Sequence, residues 1–589
     1  MERNFLLALA LSFGVLALWT MYTAPPPGEL EALTEQTPQD AQGFATGDTP
    51  EARGSGAGSP VPVAQAGDPV PSAVPTPAAA SAEPEETIEL RTDLVRAVFT
   101  TRGGGLLHWE LNDYRDVYQP GEPPVELTAF PSDRTVALAT PLGALGFGDL
   151  SQAHYEFERP DSRTLVFTRT EGGILVRKIY RVEDDSYQLD LRIEIENGSE
   201  RHLSPTFRIG WPTEGRETQD WAELALLVLH EGDLESHLLG TGGAPMAGLF
   251  GGSLEEDETY VGDVGWAGAG TRYFLTAMIP ESVRDARARV VPPSGGMPPV
   301  VELELAEINV PPGQSAARDF RMYLGPKETE RLDVAGAHLD EAILKGWFPP
   351  LTNFFTAALT ATHGFVPNYG VAIIIITIIV RLLMYPVMQK QMKSMKRMSA
   401  MQPRMKELQE KHVDDKSKQS EEMMKLYKES GFNPLTGCLP MFLQLPVFIG
   451  LYYALQGAIQ LRQEPFFGWI TDLSAPETLF MLPGLDLPIR VLPLLMGASM
   501  VLQTRMTPTT MDPAQARMMN TVMPLMFTFM FYGFASGLVL YWLVSNVLGI
   551  GQQLLTNRRK DDGIDLITAT KPAESNPDAQ PVRSKKRRK

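Results

Sequence analysis

The chain has very few of the residues that build covalent or metal-based sites. Its 589 residues include one cysteine, Cys438, which excludes an intramolecular disulfide and a cluster of cysteine ligands. None of the eight histidines falls inside a long apolar run. The sequence contains no G-x-x-x-x-G-K-[ST] phosphate loop and no H-E-x-x-H pair. We therefore predict no cofactor and no metal site.

Acidic side chains are also absent from every long apolar run, although the whole chain carries a net charge of −19. One of these runs, GVAIIIITIIVRLLMYPV, contains a single arginine, Arg381. A cation at bilayer depth costs about 2.5–3.5 kcal/mol on insertion scales, so it normally faces a carboxylate or water. Without an internal acid, Arg381 is predicted to face a hydrated cavity in the membrane. The alternative is that it lies near the helix end and reaches the cytoplasmic headgroups.

The N-terminal region predicts a membrane anchor followed by a tether. Residues 1–23 contain an apolar stretch that ends with Trp19 and Tyr22, and no small-x-small cleavage site follows it. These features favour an uncleaved transmembrane signal-anchor over a cleaved signal peptide. Residues 24–86 are rich in Pro, Ala, Gly, Ser and acids without apolar periodicity. They predict a disordered periplasmic linker.

Residues 87–337 show a period of two. The segments LVFTRT, ILVRKIYRV and YQLDLRIEIENGS alternate apolar with polar residues. The apolar positions of the third segment fall on one face: Leu189, Leu191, Ile193 and Ile195. Turn signals separate the segments, including a Gly-Gly-Gly run after Arg102, Asn197-Gly198 and Pro312-Gly313. The pattern predicts a large antiparallel all-β sandwich domain on the periplasmic side.

The stretch 338–364 is amphipathic and aromatic, and Pro349-Pro350 interrupts it. We predict an interfacial amphipathic helix at the outer membrane–water boundary. The alternative is an ordinary connecting helix that packs on the β domain.

Five apolar segments follow, at 365–387, 439–461, 488–504, 518–535 and 537–555. Lysine and arginine concentrate in 388–418, in 505–517 and at the end of the tail 558–589, which the positive-inside rule places in the cytoplasm. With the N-terminal anchor, the pattern predicts a polytopic α-helical membrane protein with six transmembrane helices. Both termini then lie in the cytoplasm.

The cytoplasmic segment 387–437 predicts a helical hairpin. Ser420 is the predicted N-cap of its second helix and Gly431 its stop signal. Methionines recur every three or four residues along the first helix: Met388, Met392, Met395, Met398, Met401 and Met405. This stripe either packs on the second helix or offers an adaptable surface to varied apolar segments.

Polar side chains inside the apolar segments are candidate site residues. Thr377 lies four residues before Arg381, so the two share a helix face. Gln444 lies in the third predicted span, and the sixth contributes Tyr541, Trp542, Ser545 and Asn546. These groups either line one hydrated groove with Arg381 or make hydrogen bonds between helices.

Several long motifs resemble the YidC family of membrane protein insertases. They are the Arg381 run, LYKESGFNPLTGCLPMFLQLPVFIGLYYAL, MTPTTMDP and FASGLVLYWLVSNVLGIGQQ, in that order across 365–557. The β region resembles the family's periplasmic domain around TTRGGGLLHWEL and TRYFLTAMIP. The resemblance implies a sandwich related to sugar mutarotases. It also implies a five-helix core, 365–557, around a groove open to cytoplasm and lipid and closed to the periplasm.

The same resemblance implies the function and the site. Arg381 matches the family's groove arginine, Gln444 matches a polar groove position, and Thr377 and the Tyr541 region match positions that meet the incoming chain. The expected substrate-binding residues are Arg381, Thr377, Gln444, Tyr541, Trp542 and Ser545. The expected function is a membrane protein insertase and chaperone of the bacterial inner membrane. Its expected partners are nascent membrane proteins, the Sec translocon (SecYEG and SecDF), the ribosome through the basic tail and cytoplasmic loops, and the lipid bilayer.

Two other classes of protein are alternatives to an insertase. A secondary transporter or channel usually shows internal repeats or intramembrane acids, and the sequence has neither. An anchored periplasmic carbohydrate-active enzyme would need a catalytic carboxylate pair or a histidine in a cleft. The sequence alone does not locate such a group.

Overall fold

The computed structural model describes residues 84–116, 122–128, 136–213, 224–239, 256–294, 297–343, 345–346, 348–412, 415–429, 435–484, 487–506 and 517–558. The predicted anchor and nearly all of the predicted linker and of the basic tail lie outside these residues. So does Gly431, the predicted stop signal of the hairpin.

The strands of the described residues are β1 (Thr87–Arg91), β2 (Val95–Thr100), β3 (Gly105–Arg115), β4 (Pro124–Glu126), β5 (Glu156–Glu158), β6 (Thr164–Glu171), β7 (Ile174–Val182), β8 (Gln188–Asn197), β9 (Phe207–Pro212), β10 (Ala225–His230), β11 (Asp233–Leu238), β12 (Glu258–Gly262), β13 (Val264–Gly270), β14 (Phe274–Pro280), β15 (Ala286–Val291), β16 (Val300–Leu305), β17 (Ser315–Pro326), β18 (Phe480–Leu482) and β19 (Leu487–Ile489).

The α-helices are α1 (Thr329–Ala335), α2 (Pro349–Phe365), α3 (Tyr369–Lys411), α4 (Lys416–Glu429), α5 (Leu435–Gly457), α6 (Val491–Met506), α7 (Met523–Met530) and α8 (Ser536–Arg558). A π-helical turn, Met518–Val522, precedes α7, and a 3-10 turn, Phe531–Gly533, follows it.

Strands β1–β17 form three antiparallel sheets around one apolar core. The largest has the order β11-β10-β13-β14-β17-β8-β7-β6-β5, and the other two have the orders β1-β2-β3-β4 and β12-β15-β16-β9. The predicted face of β8 is confirmed, because Leu189, Leu191, Ile193 and Ile195 are all buried. Alternating burial along β7 and β8 follows from their period-two sequences, since successive side chains of a strand point to opposite faces.

One cation is fully buried in this core. Lys178 on β7 has no exposed side-chain surface, and its Nζ donates to the carbonyl oxygens of Gly103 (3.0 Å) and Leu138 (2.8 Å). Both Gly103 and the following Gly104 have positive φ, which glycine adopts without a steric penalty. The Gly-Gly-Gly run noted in the sequence therefore turns a backbone carbonyl towards the lysine.

Burial lowers the pKa of Lys178 from 10.5 to about 7, because the charged form loses its hydration. Between these two values the unfolded chain binds more protons than the folded chain. The free energy of unfolding of the β domain should therefore rise with pH above about 7, by at most about 1.4 kcal/mol per pH unit from this group. Below the folded pKa both states are protonated, so this contribution to the slope vanishes.

Urea unfolding of the full chain in detergent, followed by the fluorescence of the buried tryptophans, measures this slope. The matched control is Lys178→Met, which keeps the length of the side chain but cannot titrate. The difference in slope between the two proteins isolates Lys178 from other groups. Parallel pH profiles would contradict the assignment.

The helical region begins with α2, and here one expectation was wrong. Pro349 and Pro350 do not interrupt a helix that starts near 338; they form the first turn of α2. Upstream lies only a short 3-10 turn, Leu339–Ala342. Proline suits the first helical position because its missing N–H has no intrahelical partner there and its φ is already helical.

The Arg381 span and the first arm of the predicted hairpin form one continuous 43-residue helix, α3, which contains Pro386 and Pro403. The predicted cap of the second arm was wrong: α4 begins at Lys416, and Ser420 lies inside it. The Asp415 side chain instead accepts a hydrogen bond from the Lys418 backbone N–H (3.0 Å), as an N-cap does.

The methionine stripe can be followed only where its side chains are described. Helix α3 contacts α4, and Met401 and Met405 are buried. Their burial favours the packing interpretation for this part of the stripe. Met424 on α4 is exposed.

Among the described residues, two segments are long and apolar enough to cross a membrane, Tyr369–Met392 and Ser536–Thr556. Helix α6 is apolar but shorter. The predicted count of six spans is thus supported for two of them by length and composition.

The loop after α5 joins the β domain to the helices. Gln463 Nε2 donates to the carbonyl of Arg115 at the end of β3 (2.7 Å), and Arg462 donates to the same carbonyl. The Gln463 N–H donates to the Asp472 side chain (3.1 Å), and the Ser536 hydroxyl donates to the Asp472 carbonyl (2.6 Å). Because Ser536 is the first residue of α8, this loop fixes the start of the helix that carries three of the predicted site residues.

Candidate functional site

The site is built around Arg381 on α3, which packs against α8. Arg381 lies about 18 Å along the axis from Tyr369, the start of the apolar span, at 1.5 Å per residue. Its guanidinium turns towards α8, where Nε and Nη2 both donate to the Ser545 hydroxyl (2.9 and 2.6 Å). The neighbouring Leu382 and Leu383 are 65% and 78% exposed. Arg381 therefore lies near the middle of the apolar segment Tyr369–Met392, and its guanidinium faces α8.

No carboxylate in the described part of the chain forms an ion pair with Arg381. Its partner there is a neutral hydroxyl, and Arg381 itself is half-buried. A guanidinium has five N–H donors in a fixed fork, so one hydroxyl leaves most of this capacity for other acceptors. A site of this kind attracts anionic groups and water.

Helix α8 presents polar groups to Arg381 at a spacing of four residues. Tyr541, Ser545 and Gly549 follow one another along a single helix face. The Tyr541 hydroxyl lies 3.4 Å from Gln444 Nε2 on α5, so it extends the polar row to a third helix. The structure thus brings together four of the six predicted residues: Arg381, Gln444, Tyr541 and Ser545.

Two neighbours of Arg381 were missed by sequence reasoning. A Cβ added to Gly549 would lie 3.1 Å from Gln503 Nε2 and 3.8 Å from both terminal nitrogens of Arg381. Gly549 therefore allows Gln503 of α6 and Arg381 of α3 to approach across α8. The i, i+4, i+8 spacing after Tyr541 could have identified Gly549. Gln503 is a single polar residue near the end of an apolar segment, and no spacing in the sequence links it to Arg381.

Of the other two predicted residues, Thr377 is buried and Trp542 is partly buried. Thr377 is only 1% exposed, and its hydroxyl donates to the carbonyl of Ile373 on its own helix (2.6 Å). Trp542 packs against three phenylalanines, with ring centroids 4.8 Å from Phe448 and Phe531 and 5.9 Å from Phe527.

Asn546 makes a hydrogen bond between helices, which was the alternative to lining a groove. Its Nδ2 donates to the Ser499 hydroxyl on α6 (3.0 Å), and both residues are buried. This bond holds α8 against α6.

The chemistry of the site is that of recognition. Arginine, serine, tyrosine and glutamine supply hydrogen-bond donors and one positive charge. The described residues contain no cluster of three or more His, Cys, Asp or Glu side chains that could hold a metal ion.

Two family descriptions match the chain and together cover most of it. Residues 87–358 match the YidC periplasmic domain, and residues 361–563 match the 60Kd inner membrane protein family. The first match extends beyond the predicted boundary at 337 and includes most of α2. These matches define the class, an inner membrane protein with a periplasmic β-sandwich domain.

Whole-chain relatives give the family. A membrane protein insertase YidC from Pelobacter propionicus is 36% identical over 95% of this chain and all of the relative. One from Syntrophus aciditrophicus is 35% identical with the same coverage. The chain belongs to the YidC family of membrane protein insertases, which are inner membrane proteins of bacteria and are not enzymes.

Solved structures show more distant similarity. A YidC insertase crystal structure with its first transmembrane domain resolved is 18% identical, covers 83% of this chain and 95% of its own, and has a TM-score of 0.34. A galactose mutarotase-like protein from Lactobacillus casei is 11% identical and covers 41% of this chain and all of its own, with a TM-score of 0.29.

Proposed function

We propose that this insertase receives nascent membrane proteins in a hydrated groove centred on Arg381, open to the cytoplasm and to lipid. The observation that carries the proposal is the mid-span guanidinium whose partner among the described residues is a neutral hydroxyl. An arginine held there without a carboxylate is stabilised by water or by a visiting anion. Gln444, Gln503 and Tyr541 extend this polar surface over three helices.

The groove shortens the path that polar groups must travel. A newly made membrane protein brings an apolar segment and a short polar tail that has to cross the membrane. The tail enters the groove, so its charges cross only part of the hydrocarbon layer without water. Arg381 attracts acidic groups in the tail. The apolar segment then leaves sideways into lipid, driven by burial worth about 0.8 kcal/mol per CH₂ group.

The remaining parts of the proposal concern topology and partners. Six spans place both termini in the cytoplasm and the β domain in the periplasm, following the distribution of lysine and arginine. The insertase acts alone on small proteins and with the Sec translocon on larger ones, as the family resemblance implies. The basic tail, 558–589, supplies an electrostatic contact for the ribosome, which would be weakened by salt.

Site-directed photocrosslinking to a ribosome-stalled guest tests the groove. A photoreactive residue at Gln444 should crosslink to the polar tail of the guest. The matched control is the same residue at Leu383, two positions beyond Arg381 and so about 200° round α3 at nearly the same depth. Position 383 should reach lipid and give little crosslinking to the tail. Equal crosslinking at both positions, or none at 444, would contradict the proposed groove.

The rival transporter class is tested in the same preparation. Vesicles that contain only this protein should insert the guest without carrying small solutes. Solute flux without insertion would favour a transporter.

A further inference from the structure

A small apolar hairpin, β18–β19, lies between α5 and α6. Four large side chains in the hairpin or directly before it are about half exposed: Leu479, Phe480, Met481 and Leu487. From 478 to 489 the sequence has a single charged residue, Asp486. An isolated two-stranded hairpin is marginally stable in water, and a cluster of exposed apolar side chains usually marks a contact surface.

The base of the hairpin is fixed to the helices. Arg490, directly after β19, donates to the carbonyl of Tyr532, and the Tyr532 hydroxyl donates to the carbonyl of Pro488. The Glu477 side chain accepts from the Leu492 backbone N–H in the first turn of α6 (2.7 Å). These bonds hold the hairpin over the start of α6 and the end of the helical segment that contains α7.

Both of these helical segments are short for a membrane span. Helix α6 has 16 residues. At 1.5 Å per residue it is about 24 Å long, compared with a hydrocarbon core of about 30 Å. Its partner segment, 518–533, has the same number of residues. A short span is accommodated by thinning of the bilayer or by groups next to its ends.

We propose that the β18–β19 hairpin enters the outer leaflet of the inner membrane and contacts lipid acyl chains through Phe480, Met481 and Leu487. The hairpin adjoins the start of α6 and the end of the segment 518–533, so its apolar side chains add to the apolar surface of these two short segments. Arg490 and Tyr532 join the base of the hairpin to the helix ends through these hydrogen bonds. The inference rests on the proposed orientation, which places the loop 462–487 on the outer side.

Depth-dependent fluorescence quenching tests the proposal in the full chain. The only cysteine is replaced (Cys438→Ser), and a polarity-sensitive dye is attached at Phe480→Cys. The protein is reconstituted in vesicles of phosphatidylethanolamine and phosphatidylglycerol that carry a nitroxide near either the headgroup or the end of the acyl chain. Two controls bracket the result: Phe529→Cys on α7 and Val334→Cys on α1, both 85% exposed at their native side chains.

The dye at position 480 should emit as in an apolar medium and be quenched most strongly by the nitroxide near the headgroup. Emission and quenching like those at position 334 would overturn the proposal. A signal that becomes apolar only at high protein-to-lipid ratio would also overturn it, because a second copy would then cover the hairpin. Insertion measured in the same vesicles keeps the two proposals separate, since dye depth does not depend on guest transfer.

Discussion

Replacing Arg381 by glutamine will slow the insertion of guests with acidic tails much more than that of guests with neutral tails. The guanidinium has no carboxylate partner among the described residues, so its charge is available to an incoming anion. At 4 Å and an effective dielectric constant of 20, the attraction is at most about 4 kcal/mol before desolvation. Even a third of this value corresponds to a rate change of about tenfold. Reconstituted vesicles and two guests that differ only in tail charge measure the ratio.

Arg381→Lys separates charge from shape. Lysine keeps the positive charge but cannot donate from two nitrogens of one planar group to Ser545. The lysine variant should therefore retain most of the preference for acidic tails, while the glutamine variant loses it. Equal slowing of both guests by Arg381→Gln would instead show that the residue only maintains the packing of α3 on α8.

The strands of the β domain could be predicted from the sequence because the signals for a strand are local. A strand that is half-buried must alternate, and the face of Leu189, Leu191, Ile193 and Ile195 follows from that alone. The turn glycines were also recognisable. The burial of Lys178 was not, because a lysine is normally exposed, although here it shares the apolar face of β7 with Ile174, Val176 and Tyr180. Only the carbonyls of Gly103 and Leu138, from distant parts of the chain, make that position tolerable.

The helical part was less predictable for a related reason. Hydropathy locates apolar helices but does not say which of their faces meet. Arg381 meets Ser545 only because α3 packs on α8. Gln503 comes close to Arg381 only because Gly549 has no side chain between them. Neither contact can be read from the hydropathy of a single helix. Thr377 shows the opposite error: its spacing from Arg381 was right, but its hydroxyl is satisfied by its own helix.

A substitution in the contact between α6 and α7 should strongly lower the stability of the helical region. A Cβ added to Gly497 would overlap the Thr528 hydroxyl and lie 3.2 Å from Thr528 Cβ. Rotation of the Thr528 side chain would move the hydroxyl, but it would break the hydrogen bond to the Pro524 carbonyl and leave the tight contact with Cβ. Overpacking typically costs about 1–3 kcal/mol, which outweighs the gain of about 1 kcal/mol from replacing glycine by alanine in a helix. Gly497→Ala should therefore lower the thermal midpoint of the helical signal in circular dichroism, measured on the full chain in detergent.

Gly551→Ala is the matched control, because it makes the same change in α8 where no atom lies within 4 Å of the new Cβ. It should leave the midpoint unchanged or raise it. Adding Thr528→Ala to Gly497→Ala removes the hydroxyl and methyl groups and leaves one tight contact, so the double variant should recover part of the loss. If α6 and α7 instead separate, Gln503 moves away from Arg381 with α6, and insertion should fall together with stability. A Gly497→Ala protein as stable as the Gly551→Ala protein would contradict the close approach of the two short helices.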